Sequence, residues 1–500
     1  MLTMVSPNGY QALIKLFLMK IFFQTLLFLV LSLYSSTPVI AQPNDGDEMQ
    51  IKLDKLIYNY EKEGLFNGTI LIAIDNNILL NKGYGYADFK WKVENDSDTK
   101  MMVASLSKHF TANLIMQLYE KSLIHLDSTI SHYLNDFKNS TVGRVTVHQL
   151  LSHTSGVKRD VFELSEESQV FQTEETIFDK LIESKLLFEP GSESSYSNAG
   201  YYILSKIVEE ITKKTFSEAL NQMIFEPLNM TNSGFFNEAL VVEKLANGYE
   251  RLLGQPINGI ITHPSVNQGA SSVYSTTDDI FKYELSLQNN DLLSKETQVL
   301  METPVKNGWG YGWRCNLTGK DQNGNNLYMT FHNGDSGGFS SQYLRYAPDK
   351  FTIVMLSNQD ALPRTELFNQ IIAIVNGGES KPVEKNHSEQ IYQVAIEGSL
   401  EEAVNLAEAL KKQGHRYPDA MRINFLGNML LRVGRKEDSK TIHNLNIKFH
   451  PKNFLGYAAL GLILKSEGDI IGAKKMFEKI LEFDETNSYA INFLNDLKNE

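Results

Sequence analysis

The sequence predicts an α+β domain, one antiparallel sheet flanked by helices with a helical subdomain, followed by an all-α domain of helical repeats. Three observations carry this. Strand-like runs stand at both ends of the region from residue 51 to about 375, with helical patterns between them. Past a polar linker, Gly377-Gly378-Glu379-Ser380-Lys381-Pro382, the pattern becomes helix only. Within that tail, Gly434 is followed 34 residues later by Gly468.

Taken in order, residues 1–41 have the layout of a secretory signal peptide. Lys15 and Lys20 precede a mostly apolar run from Ile21 to Leu33, and the segment ends in Ser35-Ser36-Thr37-Pro38-Val39-Ile40-Ala41, where Val39 and Ala41 fit the small-x-small cleavage rule. Met19-Lys20 is a better-proportioned start for such a signal than Met1. The alternative, a membrane anchor, needs a clean apolar span of about 20 residues, and Lys15 and Lys20 break it. An exported protein, periplasmic or secreted, is expected, with membrane contact only through the signal segment if that stays uncleaved. No cysteine follows the signal, so no lipid is attached there. The single cysteine, Cys315, has no disulfide partner and reads as a small buried hydrophobe.

The domain expected at 42–375 begins with a polar spacer to residue 50 and a helical pattern from Ile51 to Glu63. Gly68–Ile74 is β-rich, Asp75-Asn76-Asn77 makes a turn and Ile78-Leu79-Leu80 starts a return strand, a hairpin signal. Residues 105–225 are mostly helical in pattern. Strands return at Leu327–Phe331, Phe339–Tyr346 and Phe351–Leu356, the last two joined by Ala347-Pro348-Asp349-Lys350. The simplest architecture is one sheet built from both ends plus a helical insertion, with a site between the two parts.

Residues 376–386 form the linker and 387–500 the repeats. In the 34-residue register Leu426 meets Leu460, Leu430 meets Leu464, Ile442 meets Met476, Ile447 meets Leu481 and Phe449 meets Phe483. A weaker copy precedes them, Gly398–Ala403 matching Gly468–Ala473. A helix-turn-helix period of this length resembles the tetratricopeptide repeat, and three units with a terminal helix would stack into a short solenoid. Two readings stand: a groove for a protein or peptide partner, or a structural or dimerising appendage.

Composition excludes some classes. With 42% hydrophobic and 21% charged residues the chain is ordinary for a globular protein. A net charge of -13 argues against a nucleic-acid surface, which needs clustered Lys and Arg, and is read as serving solubility. No metal-ligand spacing and no phosphate loop stand out, so no cofactor is expected.

The chemistry rests on three short motifs. Ser-x-x-Lys occurs at Ser105–Lys108, and also at Ser97/Lys100 and Ser155/Lys158. Only Ser105 opens a long amphipathic pattern, with Phe110, Leu114 and Leu118 spaced by four. On a helix Lys108 shares the face of Ser105 one turn on, and the helix N-terminus favours negative charge developing at the Ser oxygen or a substrate carbonyl oxygen. Lys108 can serve as a base only when neutral, which requires burial or a neighbouring cation. Tyr-x-Asn occurs at Tyr196-Ser197-Asn198, where a loop enters a helix; the copy at Tyr133-Leu134-Asn135 reads as packing. His332-Asn333-Gly334 lies at the end of a late strand and is followed by Asp335-Ser336-Gly337-Gly338, with glycines that permit close approach of backbone to a ligand. Its rival, Lys306-Asn307-Gly308, precedes Trp309-Gly310-Tyr311-Gly312-Trp313, which looks like a packing strand.

Ser-x-x-Lys, Tyr-x-Asn and a basic residue-x-Gly on a strand, in this order, resemble the active site of class C β-lactamases and related penicillin-binding proteins. Leu150–Gly156, Glu189-Pro190-Gly191, Phe225–Met230, Tyr274–Asp279 and Tyr311-Gly312-Trp313 are similar to further stretches of that family, so the resemblance covers about residues 51 to 375. It implies a β-lactamase/transpeptidase-like fold and a small-molecule or peptide substrate. Ser105 would form an acyl-enzyme, Lys108 and Tyr196 would share the base role, and Asn198 would orient substrate or Lys108. The backbone N–H groups of Ser105 and of Asp335, after Gly334, would make the oxyanion hole. Ser107 and His109 would only flank the site. One departure is His332, where class C β-lactamases usually carry Lys; it weakens a substrate-carboxylate anchor and looks more like the esterase and D-amino-acid peptidase branches. The competing reading is a non-catalytic ligand sensor or scaffold that uses the repeats for partner binding. The intact Ser105, Lys108 and Tyr196 set favours the enzyme, a serine hydrolase acting on an ester, amide or D-amino-acid peptide.

Overall fold

A computed structural model describes residues 46–162, 166–320, 326–360, 362–383, 387–415 and 418–499; the signal segment expected at 1–41 lies outside them. The chain divides into two compact units, Met1–Tyr249 with Gly259–Lys381, and Glu250–Asn258 with Pro382–Glu500.

In the first unit, helix α1 (Gly46–Lys62) buries Leu53, Leu56, Ile57 and Tyr60, the i, i+3, i+4, i+7 stripe of a one-sided helix. Strands β1 (Gly68–Ile74) and β2 (Asn77–Tyr84) form the expected hairpin. Its tip is a two-residue loop, Asp75 and Asn76, with φ of 49° and 64°, which matches the right-handed twist of the strands. Helices α2 (Ser107–Glu120), α3 (Asn198–Thr212) and α4 (Thr277–Asn289) follow. The late strands are β3 (Arg314–Lys320), β4 (Asn326–Ser336), β5 (Phe339–Tyr346) and β6 (Phe351–Ser357), and helix α5 is Arg364–Val375.

The sheet order is β3-β4-β5-β6-β1-β2 with every neighbouring pair antiparallel. The first strand therefore lies against the last, Gly68 opposite Ser357 and Ala73 opposite Thr352. β1, β5 and β6 are buried along their whole length, so both faces of the sheet are covered. α4 packs on β1 and β6, and α1 on α5. This is the α+β architecture the sequence predicts.

Three local expectations are corrected. β4 does not end at Phe331 but runs on to Ser336, because β5 stays paired with it up to Ser336 opposite Phe339 and Gly337-Gly338 (φ 59° and 81°) closes the turn. His332 to Asp335 thus lie inside a strand. Trp309–Trp313 is not a strand: Gly310 N–H donates to Trp313 O at 2.9 Å and Gly312 has φ 80°, which makes it a compact loop leading into β3. α2 is not amphipathic, since every residue from Ser107 to Leu118 is buried.

The second unit holds seven helices among the described residues, α6 (His387–Glu397), α7 (Leu400–Lys412), α8 (Ala420–Arg432), α9 (Lys436–Phe449), α10 (Phe454–Ser466), α11 (Ile470–Phe483) and α12 (Ser488–Asn499). Gly434 and Gly468, with φ of 80° and 83°, end α8 and α10 in the left-handed conformation that glycine tolerates. A Cβ on Gly427 would meet the His443 ring at 2.4 Å, and one on Gly461 would meet the Phe477 ring at 2.5 Å. Both pairs are 34 residues apart, so the same close helix contact is built twice. A hairpin segment, Glu250–Asn258, belongs to this unit: Leu252 shares a core with Ile391, Ile423, Leu430 and Ile442. The sequence reading did not anticipate it.

Candidate active site

Ser105 sits in a single 3-10 turn, Ala104–Leu106, immediately before α2, so it precedes the helix rather than opening it. Ala104 has φ 48°, a left-handed conformation that is uncommon without glycine and persists only where the surroundings enforce it. Ser107 supplies part of that enforcement. Its hydroxyl donates to Ala104 O at 2.7 Å and accepts from Val273 N–H at 3.1 Å. Ser107 therefore pins the turn, a role the sequence did not reveal.

Lys108 is fully buried. Its Nζ lies 3.3 Å from Ser105 Oγ, 2.7 Å from Asn198 Oδ1 and 2.9 Å from Ala270 O, and 4.7 Å from the centre of the Tyr196 ring. Burial first, and the nearby Arg159 charge second, hold this amine well below the usual lysine range, while Asp160 acts in the opposite sense. A neutral amine has two N–H groups and one lone pair. Asn198 and Ala270 take the two N–H groups, and the lone pair remains for the Ser105 hydroxyl.

Tyr196 enters from the loop before α3, and its hydroxyl donates to Ser105 Oγ at 2.8 Å. Burial drives the phenol well above the usual tyrosine range, so it keeps its proton. The ring packs at a tilt against His153 and Trp309, with centroids at 4.5 and 5.3 Å. His153 itself has φ 57° and accepts from Ser197 N–H at 3.1 Å, which ties the loop carrying Tyr196 to the stretch Leu150–Gly156. Ser197 then caps α3 by accepting from Gly200 N–H.

The polar chain extends further than the motifs. Asn198 Nδ2 donates to Asp160 Oδ1 at 2.6 Å, and Asp160 pairs with Arg159 at 3.3 Å. The Arg159 guanidinium lies 5.2 Å from the Tyr196 ring centre. Neither Arg159 nor Asp160 was singled out from sequence; the only signal was their place four residues after Ser155-Gly156, in a loop without periodicity.

On the strand side, β3 pairs with β4 only up to Arg314 opposite Phe331. From His332 to Ser336 the outer edge of β4 lacks a strand neighbour and packs instead on the turn holding Ser105. A Cβ on Gly334 would come within 2.9 Å of Ser105 N, 2.6 Å of Val103 O and 2.3 Å of Ser341 Oγ, so only glycine admits this approach. His332 is buried, and its Nδ1 lies 2.6 Å from Asn333 O. That carbonyl can only accept, so Nδ1 carries the hydrogen and Nε2 keeps a lone pair, which has no partner among the described residues. Burial lowers the His332 pKa to about 3. His109 is more than a flanking residue: its ring stacks on Trp313 at 3.9 Å and meets the edge of His332 at 5.6 Å. Asp335 is exposed and forms an ion pair with Arg364 of α5 at 2.5 Å.

The structure thus brings Ser105, Lys108, Tyr196, Asn198, His332, Gly334 and Asp335 to one place. Three of the rival motifs are engaged elsewhere. Ser155 accepts from Val157 N–H and Lys158 donates to Val161 O; Tyr133 OH accepts from His125 N–H; Lys306 donates to the carbonyls of Gly191 and Ser192. Among the described residues no group of three or more His, Cys, Asp or Glu side chains is placed to hold a metal ion.

A family model described as Beta-lactamase matches residues 53–375. Protein flp of Staphylococcus aureus (strain N315) is 28% identical over 330 residues, covering 62% of this chain and 64% of that protein. The chain therefore spans under two thirds of that relative's length. A penicillin-binding protein of Bacillus subtilis (strain 168) is 29% identical over 317 residues, covering 59% of this chain and 68% of the other. Among solved structures, a penicillin-binding protein from Bacillus halodurans superposes with a TM-score of 0.52 at 26% identity, covering 61% of this chain and 94% of that one.

Proposed function

The chain belongs to the β-lactamase family, and from that membership we propose an exported serine hydrolase that works through an acyl-enzyme on an ester, amide or D-amino-acid peptide. One observation carries the reading: Ser105 Oγ is bracketed by the Tyr196 hydroxyl at 2.8 Å and the Lys108 amine at 3.3 Å, the first protonated and the second held below its usual range. Both distances fit hydrogen-bond reach of the proton to be moved.

In this reading the Lys108 lone pair takes the Ser105 hydroxyl proton as Oγ attacks the substrate carbonyl carbon. The carbonyl π-electrons move to oxygen, which the N–H groups of Ser105 and Asp335 receive at the edge of β4. The loss of one such donor costs about 3 to 4 kcal/mol. Collapse breaks the bond to the leaving group, which takes a proton from Tyr196, and Tyr196 recovers it from Lys108. The base role shared by Lys108 and Tyr196 thereby divides: the lysine abstracts, and the tyrosine relays. Water repeats the sequence on the acyl-enzyme and releases Ser105.

Intact mass after a fluorophosphonate, for wild type and Ser105→Ala, tests this. An adduct on wild type alone is expected. No adduct on well-folded wild type would overturn the hydrolase in favour of a ligand sensor.

Export is proposed from the signal-like layout of residues 1–41. For residues 387–500 we propose tetratricopeptide-like repeats that take a protein or peptide partner. The recurrence of Gly427 against His443 and Gly461 against Phe477 supports the repeat. Deleting residues 380–500 should leave turnover intact and abolish partner capture; lost folding would instead mark the repeats as structural.

A further inference from the structure

Along the stretch of β4 that β3 leaves unpaired stand the buried ring of His332, the exposed Asn333 and the exposed carboxylate of Asp335. His332, buried and with its Nδ1 hydrogen on Asn333 O, brings no positive charge to this end of the site. The cation near this end, Arg364, is already committed. Its NH2 donates to Gly334 O at 2.8 Å and to Asp335 Oδ1 at 2.5 Å, and its Nε donates to Ser341 O at 3.1 Å. Ser340 Oγ donates to the same Asp335 oxygen at 2.7 Å, which fixes the carboxylate in place. The chain thus carries its own carboxylate where an incoming one would seek Arg364, directly beside the proposed oxyanion donor.

We infer that Asp335, closed on Arg364, is a specificity-determining residue that excludes acyl donors with a carboxylate next to the scissile bond and directs the Ser105 site to uncharged esters and amides. The inference rests on the serine-hydrolase reading above. Its physical basis is like-charge juxtaposition, which discriminates between partners more strongly than a missing attraction does. The exposed Asp335 oxygen that Arg364 and Ser340 leave unclosed favours a donor group on the substrate instead.

Benzylpenicillin and its methyl ester separate the charge from the reaction. In both, the Ser105 Oγ–carbonyl carbon bond forms, the β-lactam C–N bond breaks, and the β-lactam nitrogen takes the Tyr196 proton, which the serine proton replaces by way of Lys108; only the neighbouring carboxylate differs. Acylation of the full chain by each compound is followed by intact mass. Wild type should react with the methyl ester about tenfold or more faster than with the free acid. In Asp335→Asn, which removes the charge and loosens Arg364, the ratio of free-acid to ester rates should rise about tenfold. A wild type that prefers the free acid overturns the inference even if the variant fails to fold, and so does an unchanged ratio in a folded variant. Fluorophosphonate labelling of wild type keeps the two readings apart: labelling with the wrong ratio removes only the role of Asp335, whereas no labelling removes the hydrolase.

Discussion

Asp160 fixes the amide of Asn198: Asn198 Nδ2 donates to Asp160 Oδ1 at 2.6 Å, so Asn198 Oδ1 is left to face the Lys108 amine at 2.7 Å. An unrestrained amide could turn either end toward Lys108, and its NH2 end would compete with Ser105 for the lysine lone pair. Asp160 is thus a positioning residue that acts on the lysine through Asn198.

Asp160 and its ion-pair partner Arg159 also adjust, in opposite senses, the Lys108 pKa that burial lowers. Lys108 acts when neutral, so acylation should rise with pH through its pKa. Arg159 lowers that pKa and Asp160 raises it. Asp160→Asn, which keeps a hydrogen-bonding oxygen but loses the charge, should move the acid limb of the acylation profile to lower pH. Arg159→Gln should move it to higher pH. Limbs that shift in the same direction in both variants would refute this assignment, and a merely structural role would move neither.

Lys108→Ala and Tyr196→Phe should each slow acylation by about 10²- to 10⁴-fold while circular dichroism stays native. The double variant should be little worse than the poorer single one, because the two groups move one proton. Wild-type rates in either variant would remove the roles given to them.

Gly334→Ala tests the strand edge without touching a functional side chain. The added methyl must displace Ser341 Oγ, Val103 O or Ser105 N. The resulting shift in the N–H of Ser105 or Asp335 should lower acylation about 10²-fold or more. Acylation at the wild-type rate would show that the proposed oxyanion hole lies elsewhere.

His443 is buried with neither ring nitrogen partnered among the described residues, at the position where the following repeat has Phe477. Burial lowers its pKa from 6.5 to about 4. The unfolded chain therefore binds the proton more readily between those values, and the stability of the helical unit should fall as pH drops from about 6.5 toward about 4. His443→Phe should unfold at higher denaturant and lose this pH dependence. Denaturant titrations at pH 7 and pH 5 decide it; identical pH slopes in the two proteins would count against the burial argument.

Much of the fold was legible because its signals are local. The Asp75-Asn76 turn, the apolar runs of β1, β5 and β6, and the stripe Leu53, Leu56, Ile57, Tyr60 each follow from neighbours in sequence. Ser105 was preferred over Ser97 and Ser155 on a local signal too, the spacing of Phe110, Leu114 and Leu118, although that spacing belongs to a helix buried on every side. Arg159, Asp160 and Arg364 were invisible because their chemistry lies in contacts with residues tens of positions away, which no local pattern marks. Glu250–Asn258 escaped for the same cause, since its partners are helices more than a hundred residues on.

The α+β class, with strands at both ends of the first unit, helices between them and a helical tail, could be read from local patterns, as could the proposal of Ser105, Lys108 and Tyr196 as a set. The opposite pKa shifts of Lys108 and Tyr196 come from the folded surroundings. Burial lowers the Lys108 amine and raises the Tyr196 phenol; the Arg159 charge adds to the first shift and opposes the second, and the Asp160 charge does the reverse. Desolvation and Coulomb interaction depend on distance in space, which a linear sequence does not record.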